Sequence, residues 1–169
     1  MKKCWIFVLA ALLLTGCAGK ETVETVGDEL LQPVMAPAGE LSLKLPDSAT
    51  AQTIESEDGG KLYFCDGYVL TVQTLDGGDM ERTARELCGF ETDSLPILET
   101  VTQDFKRRDW VWTAAGEGGD QVGRAAVIDD GHYHYCVTVM ADADAAGKLE
   151  TQWNTLFASL GLTQYKAAT

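Results

Sequence analysis

The chain has 169 residues, of which 13 are Lys or Arg and 26 are Asp or Glu, giving a formal charge of −13. Hydrophobic residues make up 46% and charged residues 23%, which is the composition of a globular protein of about one domain. The acidic excess argues against a nucleic-acid binder and against a polybasic membrane surface, because both need clustered Lys and Arg.

The N-terminal segment has the features of a secretion signal. Met1-Lys2-Lys3 is basic, and the uncharged apolar run from Cys4 to Leu14 is too short to cross a bilayer as a helix. The run ends in Leu14-Thr15-Gly16-Cys17, which resembles the lipobox of bacterial lipoproteins. The resemblance implies that residues 1–16 are removed and that Cys17 receives a diacylglyceryl group, which anchors the protein on the extracytoplasmic side of the cell membrane. The alternative is an ordinary signal peptide with a chance Cys.

The rest of the chain divides into three parts. Residues 17–39 are acidic, contain Pro33 and Pro37, and keep no hydrophobic period, which predicts a tether. Residues 40–163 are predicted to form a single domain. Residues 164–169 are predicted to be a disordered tail.

Four strands are predicted in the first half of the domain from alternating apolar residues and turn signals. They run from Leu41 to Leu45, from Thr50 to Ser56, from Lys61 to Asp66 and from Tyr68 to Leu75. Glu57-Asp58-Gly59-Gly60 and Asp66-Gly67 are the predicted turns between the later pairs.

A helix is predicted next, between an N-cap at Asp79 and a C-terminal cap at Gly89. A loop containing Pro96 separates this helix from three longer strands joined by hairpins. These strands are predicted at about Asp104 to Ala115, Gln121 to Asp129 and His132 to Ala141.

Apolar residues at helical spacing from Ala145 to Leu160 predict an amphipathic closing helix. Asp142 or Asp144 is predicted to cap its start, and Gly161-Leu162 to stop it.

The element order predicts an α+β domain, with an antiparallel sheet of about six strands packed with two helices. The opening leucine strand that ends at Pro46, the hairpin pairs, the middle helix and the closing helix together resemble the Mog1/PsbP-like domain, an α/β/α sandwich, over most of residues 40–162. The resemblance implies a binding or accessory module, and it assigns no site residue to this chain.

The stretch from His132 to Cys136 is a candidate metal site. On a strand, His132 and His134 project from one face together with Cys136, and Asp129 or Asp130 at the adjoining turn can add an oxygen ligand. A zinc site needs three or four converging ligands, however, and the chain has only 2 His. The alternative is a polar strand face that lies against a helix or solvent.

Three cysteines remain in the predicted domain, and an odd number cannot pair completely. Cys88 lies on the apolar stripe of its helix, which predicts a small buried hydrophobic residue. Cys65 and Cys136 are both predicted to lie on strands. The sequence allows either a disulfide between them or two free thiols.

The basic run Lys106-Arg107-Arg108 stands beside Trp110 and Trp112. One interpretation is that the Trp face packs under a helix as core. The other is a basic and aromatic patch, including Lys106, Arg107, Arg108 and Trp110, that docks an acidic partner or an anionic cell-wall polymer.

No nucleophile-elbow, P-loop or HExxH motif occurs in the sequence, and no cofactor is expected. The sequence therefore predicts a non-catalytic envelope lipoprotein that binds a partner protein or ligand near the membrane. A sensor or inhibitor of an envelope enzyme is a form of the same prediction. The alternative is a metal-binding or metal-dependent envelope protein that uses His132 and His134.

Overall fold

The structure, a computed structural model, describes residues 38–52, 60–103, 105–116 and 118–163, all within one compact unit, Met35–Thr169. The predicted signal peptide, Cys17 and the tether up to residue 37 lie outside these residues. So do the end of the second predicted strand, the turn residues 57–59 and the predicted tail 164–169.

Nine strands run through the described residues. They are β1 (Glu40–Ser42), β2 (Thr50–Gln52), β3 (Lys61–Cys65), β4 (Tyr68–Asp76), β5 (Leu98–Val101), β6 (Lys106–Gly116), β7 (Gly119–Asp129), β8 (Tyr133–Asp142) and β9 (Gly161–Thr163). Strands β2 to β8 form one antiparallel sheet in the order β2-β3-β4-β8-β7-β6-β5, while β1 pairs antiparallel with β9 in a separate ribbon. The long strands β4, β8, β7 and β6 are neighbours and form the centre of the sheet.

Within the described residues, two α-helices flank the sheet: α1 (Met80–Cys88) and α2 (Ala143–Ala158). The predicted caps of α1 are confirmed, because the Asp79 carboxylate accepts the Arg82 amide at 3.0 Å and Gly89 has a positive φ of 78°. Asp142 occupies the N-cap position of α2, as predicted, but its carboxylate makes no capping hydrogen bond.

Each helix packs on its own face of the sheet, which confirms the α/β/α arrangement. Helix α2 contributes Leu149, Trp153, Leu156 and Phe157 to a core with Leu70, Val137, Val139 and other residues of one sheet face. Helix α1 places Ala84 in a second core with Trp110, Trp112, Val127 and Cys136 from the opposite face. Because side chains alternate along β8, one central strand serves both cores.

Two strands of the structure, β5 and β9, are absent from the prediction, and β1 ends at Ser42 rather than at the predicted Leu45. Strand β5 occupies part of the predicted loop, and all four of its residues are exposed at the sheet edge, so it has no apolar alternation to detect. Gly161 and Leu162 do not simply stop α2. They continue as β9, where Leu162 pairs with Leu41. The sheet thus has seven strands, with the β1–β9 ribbon beside it.

Candidate functional site

Helix α1 covers only part of its face of the sheet. Cross-strand pairs on the same face continue outward from β8, with Met140 opposite Val69 and Val69 opposite Phe64. We call this outer surface the open face, and it consists of Leu62, Phe64, Val69, Thr71 and Gln73. Thr138 and Met140 lie at its border with the α1 core. On the open face, the Phe64 side chain is 47% exposed. Among the described residues, no helix covers the Phe64 ring, so part of the ring is in contact with water. Leaving apolar surface exposed to water is unfavourable.

A groove of about 400 Å³ lies where the open face meets α1. Glu86 and Leu87 of α1 are among the residues that line it, and Thr71 and Thr138, which face each other across β4 and β8, also line it. Thr138 is only 7% exposed, and its hydroxyl has no hydrogen-bond partner among the described residues. A buried hydroxyl without a partner is unfavourable, so Thr138 lowers the stability of this part of the sheet. The mixed apolar and polar lining is typical of binding grooves.

A chain of polar side chains holds the covered half of this face to α1. His134 Nδ1 lies 2.7 Å from Thr83 Oγ1, and its Nε2 lies 3.8 Å from Asp129 Oδ2. The same Asp129 oxygen accepts from Arg108 at 3.2 Å, and Arg108 Nε donates to Glu99 at 2.8 Å. The chain therefore links α1 to β8, β7, β6 and β5 in turn.

Thr83, His134 and Asp129 follow the order of a nucleophile, a base and an acid, but their burial argues against catalysis. Thr83 is 0% exposed, so a substrate does not reach its hydroxyl. Burial lowers the pKa of His134, the neighbouring Asp129 opposes that change, and Arg108 reinforces it. A neutral imidazole in a closed hydrogen bond fits a structural link between helix and sheet.

The two candidate metal ligands lie in different surroundings. His134 is buried on β8 under α1, whereas His132 is exposed in the turn before that strand. No group of three or more His, Cys, Asp or Glu side chains among the described residues is arranged to hold a metal ion. The position of His134 agrees with the alternative interpretation, in which the polar face of this strand lies against a helix.

The basic and aromatic run is divided between the two faces of β6. Trp110 is buried in the α1 core with Trp112, so the aromatic half of the predicted patch is not at the surface. Arg107 donates twice to Asp109, at 2.7 Å each, and once to the Phe157 carbonyl at 2.9 Å. With Arg108 held by Glu99 and Asp129, Lys106 is the exposed basic residue of the run. Both arginines therefore serve internal contacts.

The three described cysteines are free. Cys136 packs in the α1 core and Cys65 in the α2 core, so the sheet separates the two thiols and a disulfide between them would require unfolding. Burial raises the pKa of the Cys136 thiol and also that of Cys65, which is the reverse of what a thiol nucleophile needs.

The open face and Thr83 are absent from the sequence-based predictions. The alternation of Leu62 and Phe64 indicates one shared face, but the extent of helix cover over that face is a tertiary property. Thr83 lies inside an unremarkable helical segment and gains its role only through contact with β8. Within the described residues, no helix is long and apolar enough to cross a membrane.

No family model and no curated protein matches the sequence. Among solved structures, a protein from Bacteroides thetaiotaomicron aligns over 73% of this chain at 12% identity with a TM-score of 0.50, and the chain spans 45% of that protein's length. LpqN of Mycobacterium tuberculosis, described as involved in cell envelope biogenesis, aligns over 76% of this chain and 86% of its own at 15% identity with a TM-score of 0.49. PsbP (CyanoP) of the cyanobacterium Synechocystis aligns over 75% of this chain and 93% of its own at 9% identity with a TM-score of 0.54. At these identities the similarity concerns the fold alone, and the described domain has the PsbP-like α/β/α fold.

Proposed function

We propose that this protein is a non-catalytic accessory lipoprotein of the bacterial cell envelope, whose domain binds a partner protein through the open face. The observation that carries the proposal is the half-exposed Phe64 ring beside the groove. An exposed Phe ring beside the half-buried Val69 and Met140, at a groove between sheet and helix, favours an interaction surface over an ordinary solvated sheet face. The closed surroundings of Thr83 and His134 support a role without catalysis.

The partner expected is a protein segment that presents apolar side chains together with basic groups. The chain carries a formal charge of −13, and the sheet arginines Arg107, Arg108 and Arg124 lie against carboxylates of their own domain. Glu86 adds a carboxylate at the wall of the groove. Opposite charge on the partner raises the association rate and disfavours acidic competitors.

The lipobox supplies the membrane anchor of this proposal. Replacing Cys17 with alanine is expected to release the protein from the membrane fraction, because Cys17 is the proposed attachment point of the acyl chains and burial of each acyl methylene contributes about 0.8 kcal/mol. Metabolic labelling with an alkyne fatty acid, followed by fractionation of the cells, measures both effects.

The matched control for that experiment is Cys4→Ala, which changes a thiol inside the predicted signal peptide. It should leave both the label and the membrane fraction as in the original chain. Label that persists in Cys17→Ala, or that is lost equally in Cys4→Ala, would show that Cys17 is not the acylated residue.

Replacing Phe64 with serine is expected to weaken partner binding about tenfold or more, since central aromatic residues commonly contribute 2 kcal/mol or more to an interface. Val111→Ser is the matched control, because Val111 is 50% exposed but lies on the α2 side of the sheet, opposite Arg124. A photo-crosslinking residue at position 64 or 111 in native cells identifies the partner, and purified components then give the affinity.

The result that supports the open face is a partner crosslinked from position 64 whose affinity falls in Phe64→Ser and stays unchanged in Val111→Ser. Equal crosslinking of the same proteins from both positions would overturn the proposal. An affinity that Phe64→Ser leaves intact would do the same.

A further inference from the structure

The three most exposed large hydrophobic side chains of the described residues lie at one edge of the sheet. Leu98 and Val101 belong to the edge strand β5 and are 68% and 62% exposed, and Val111 of the neighbouring β6 is 50% exposed. No described strand pairs with the outer side of β5. Strand β5 also contains no Lys or Pro, the residues that commonly protect such an edge from pairing with another chain. This edge is therefore a candidate interaction surface.

The hydrogen-bond pattern indicates which backbone groups of β5 face outward. The Thr102 amide donates to the Phe105 carbonyl at 3.0 Å, in the turn between β5 and β6. Bonded and non-bonded residue pairs alternate along an antiparallel ladder. The amide and carbonyl of Thr100 therefore point to β6, while those of Glu99 and Val101 point to the open edge. Each of these two residues presents one donor and one acceptor that no described strand takes up.

A second copy of β5 complements this edge in one antiparallel register. With Thr100 opposite Thr100 of the second copy, Glu99 lies opposite Val101 in both halves, and the outward donors of each strand meet the outward acceptors of the other. A shift that puts Glu99 opposite Glu99 would place like charges together. It would also put Val101 opposite Ile97, whose amide already donates to the Leu95 carbonyl at 2.9 Å. A two-fold axis relates the strands of the favoured register, so the pairing closes at two copies.

The charges beside β5 complement each other in the same register. Lys106 stands opposite Val101 within the chain, so Lys106, Val101 and Glu99 of the second copy form one row on one face of the sheet. Two strand spacings, about 10 Å, separate Lys106 from that Glu99, and their extended side chains span this distance. No described carboxylate lies within ion-pair distance of the Lys106 ammonium. Glu99 bonds to Arg108 and keeps 44% of its side chain exposed, so it can also attract a second cation.

We infer that the protein forms a two-fold dimer through β5, which joins two seven-stranded sheets into one continuous sheet. The pairing covers part of the exposed Leu98 and Val101 side chains. The net charge of −13 on each chain opposes association, so the dimer is weak and reversible. The open face lies on β3 and β4, toward the other end of the strand order, and stays accessible in the dimer. The dimer and the open face therefore stand or fall separately.

Disulfide trapping tests the register, in the chain from residue 17 onward with Cys17→Ser so that no acyl group contributes. Thr100→Cys places two thiols directly opposite each other in a non-hydrogen-bonded pair, where the Cα atoms lie about 4.5 Å apart and a disulfide can form. Under oxidising conditions, most of this variant should migrate as a covalent dimer. The original chain, whose described cysteines are buried or half-buried, gives the background.

Leu98→Cys is the matched control for trapping. In the inferred register the two residues at position 98 are offset by four residues and lie about 14 Å apart, so this variant should stay monomeric although position 98 is the more exposed. Equal trapping at positions 98 and 100, or trapping at neither, would overturn the inference. Trapping of Thr100→Cys in cells with a different protein, and not with a second copy, would overturn it as well.

Sedimentation equilibrium measures the dimer without a crosslink. Val101→Lys should weaken self-association about tenfold or more, because it places a charge at the pairing edge. Lys106→Glu should weaken it about fivefold, since it replaces two attractions with repulsions from Glu99. Lys148→Glu is the matched control, because it makes the same charge change at an exposed position of α2 and should leave self-association as in the original chain. A chain that stays monomeric at millimolar concentration, or an equal loss in the two lysine variants, would overturn the inference.

Discussion

Replacing His134 with alanine is expected to lower the free energy of unfolding by about 3 kcal/mol, as other large-to-small changes at buried positions do. The change leaves a cavity between α1 and the sheet and removes the partner of the buried Thr83 hydroxyl. It also removes the ring that faces Asp129. Urea unfolding followed by circular dichroism measures the loss.

His134 also predicts how stability depends on pH. Burial under α1 lowers its pKa below the ordinary value of 6.5, with Asp129 and Asp130 opposing the change and Arg108 and Arg82 reinforcing it. Between the unfolded and folded pKa values the unfolded chain therefore binds a proton that the folded chain does not. Stability from this group is complete above about pH 6.5 and falls as the pH drops below it, by up to about 1.4 kcal/mol per pH unit.

His134→Asn separates this effect from the loss of packing, because its side-chain amide reaches the position of Nδ1 and does not titrate. Its unfolding free energy should fall less than that of the original chain between about pH 7 and pH 5. The exposed His132 gives the control, and His132→Asn should retain the acid-dependent loss. Parallel pH profiles for the original chain and His134→Asn would contradict the assignment.

Gly123→Ala is expected to cost about 3 kcal/mol, at the upper end of the range for overpacked cores. Trp112 lies directly over Gly123, and an added Cβ would overlap the indole ring atoms Cζ2 and Cε2. Because Trp112 is packed into the α1 core, the ring has no free space into which to move. Thermal unfolding measures the cost.

A double substitution tests that mechanism. In a Trp112→Leu background the ring is gone, so adding Gly123→Ala should cost much less than it does alone, with a coupling of about 1 kcal/mol or more between the two positions. Additive costs would show that Gly123 is required for a reason other than the indole.

The fold was predictable where its signals are local. Asp79 and Gly89 cap α1 by contacts within a few residues. The apolar residues of α2 recur along the chain with the period of a helix. Strand β9 was not predictable, because its three residues are specified by pairing with β1, more than a hundred residues earlier in the chain. A local sequence pattern contains no information about pairing between strands that are so far apart in the chain.

The candidate site shows the same division. The sequence indicates that Leu62 and Phe64 share a face, yet it cannot show that a nine-residue α1 ends before covering them. Arg107 and Arg108 read as a free basic run because their carboxylate partners, apart from Asp109, lie on neighbouring strands. Burial and charge pairing are fixed by the register of the sheet, which no short stretch of sequence contains.

The β1–β9 ribbon has a mechanical consequence. Glu40 stands opposite Thr163, and the Gly39 amide donates at 2.6 Å to the Tyr135 hydroxyl, which itself donates to Asp130 at 2.9 Å. A pulling force applied to the N-terminal side of the domain therefore acts first on three paired residues and two side-chain bonds, that of Gly39 and that of Ser42 Oγ to the Gly161 carbonyl at 3.2 Å. Those contacts can separate while the seven-stranded sheet stays intact. Under load, the chain would lengthen at this ribbon before the domain unfolds.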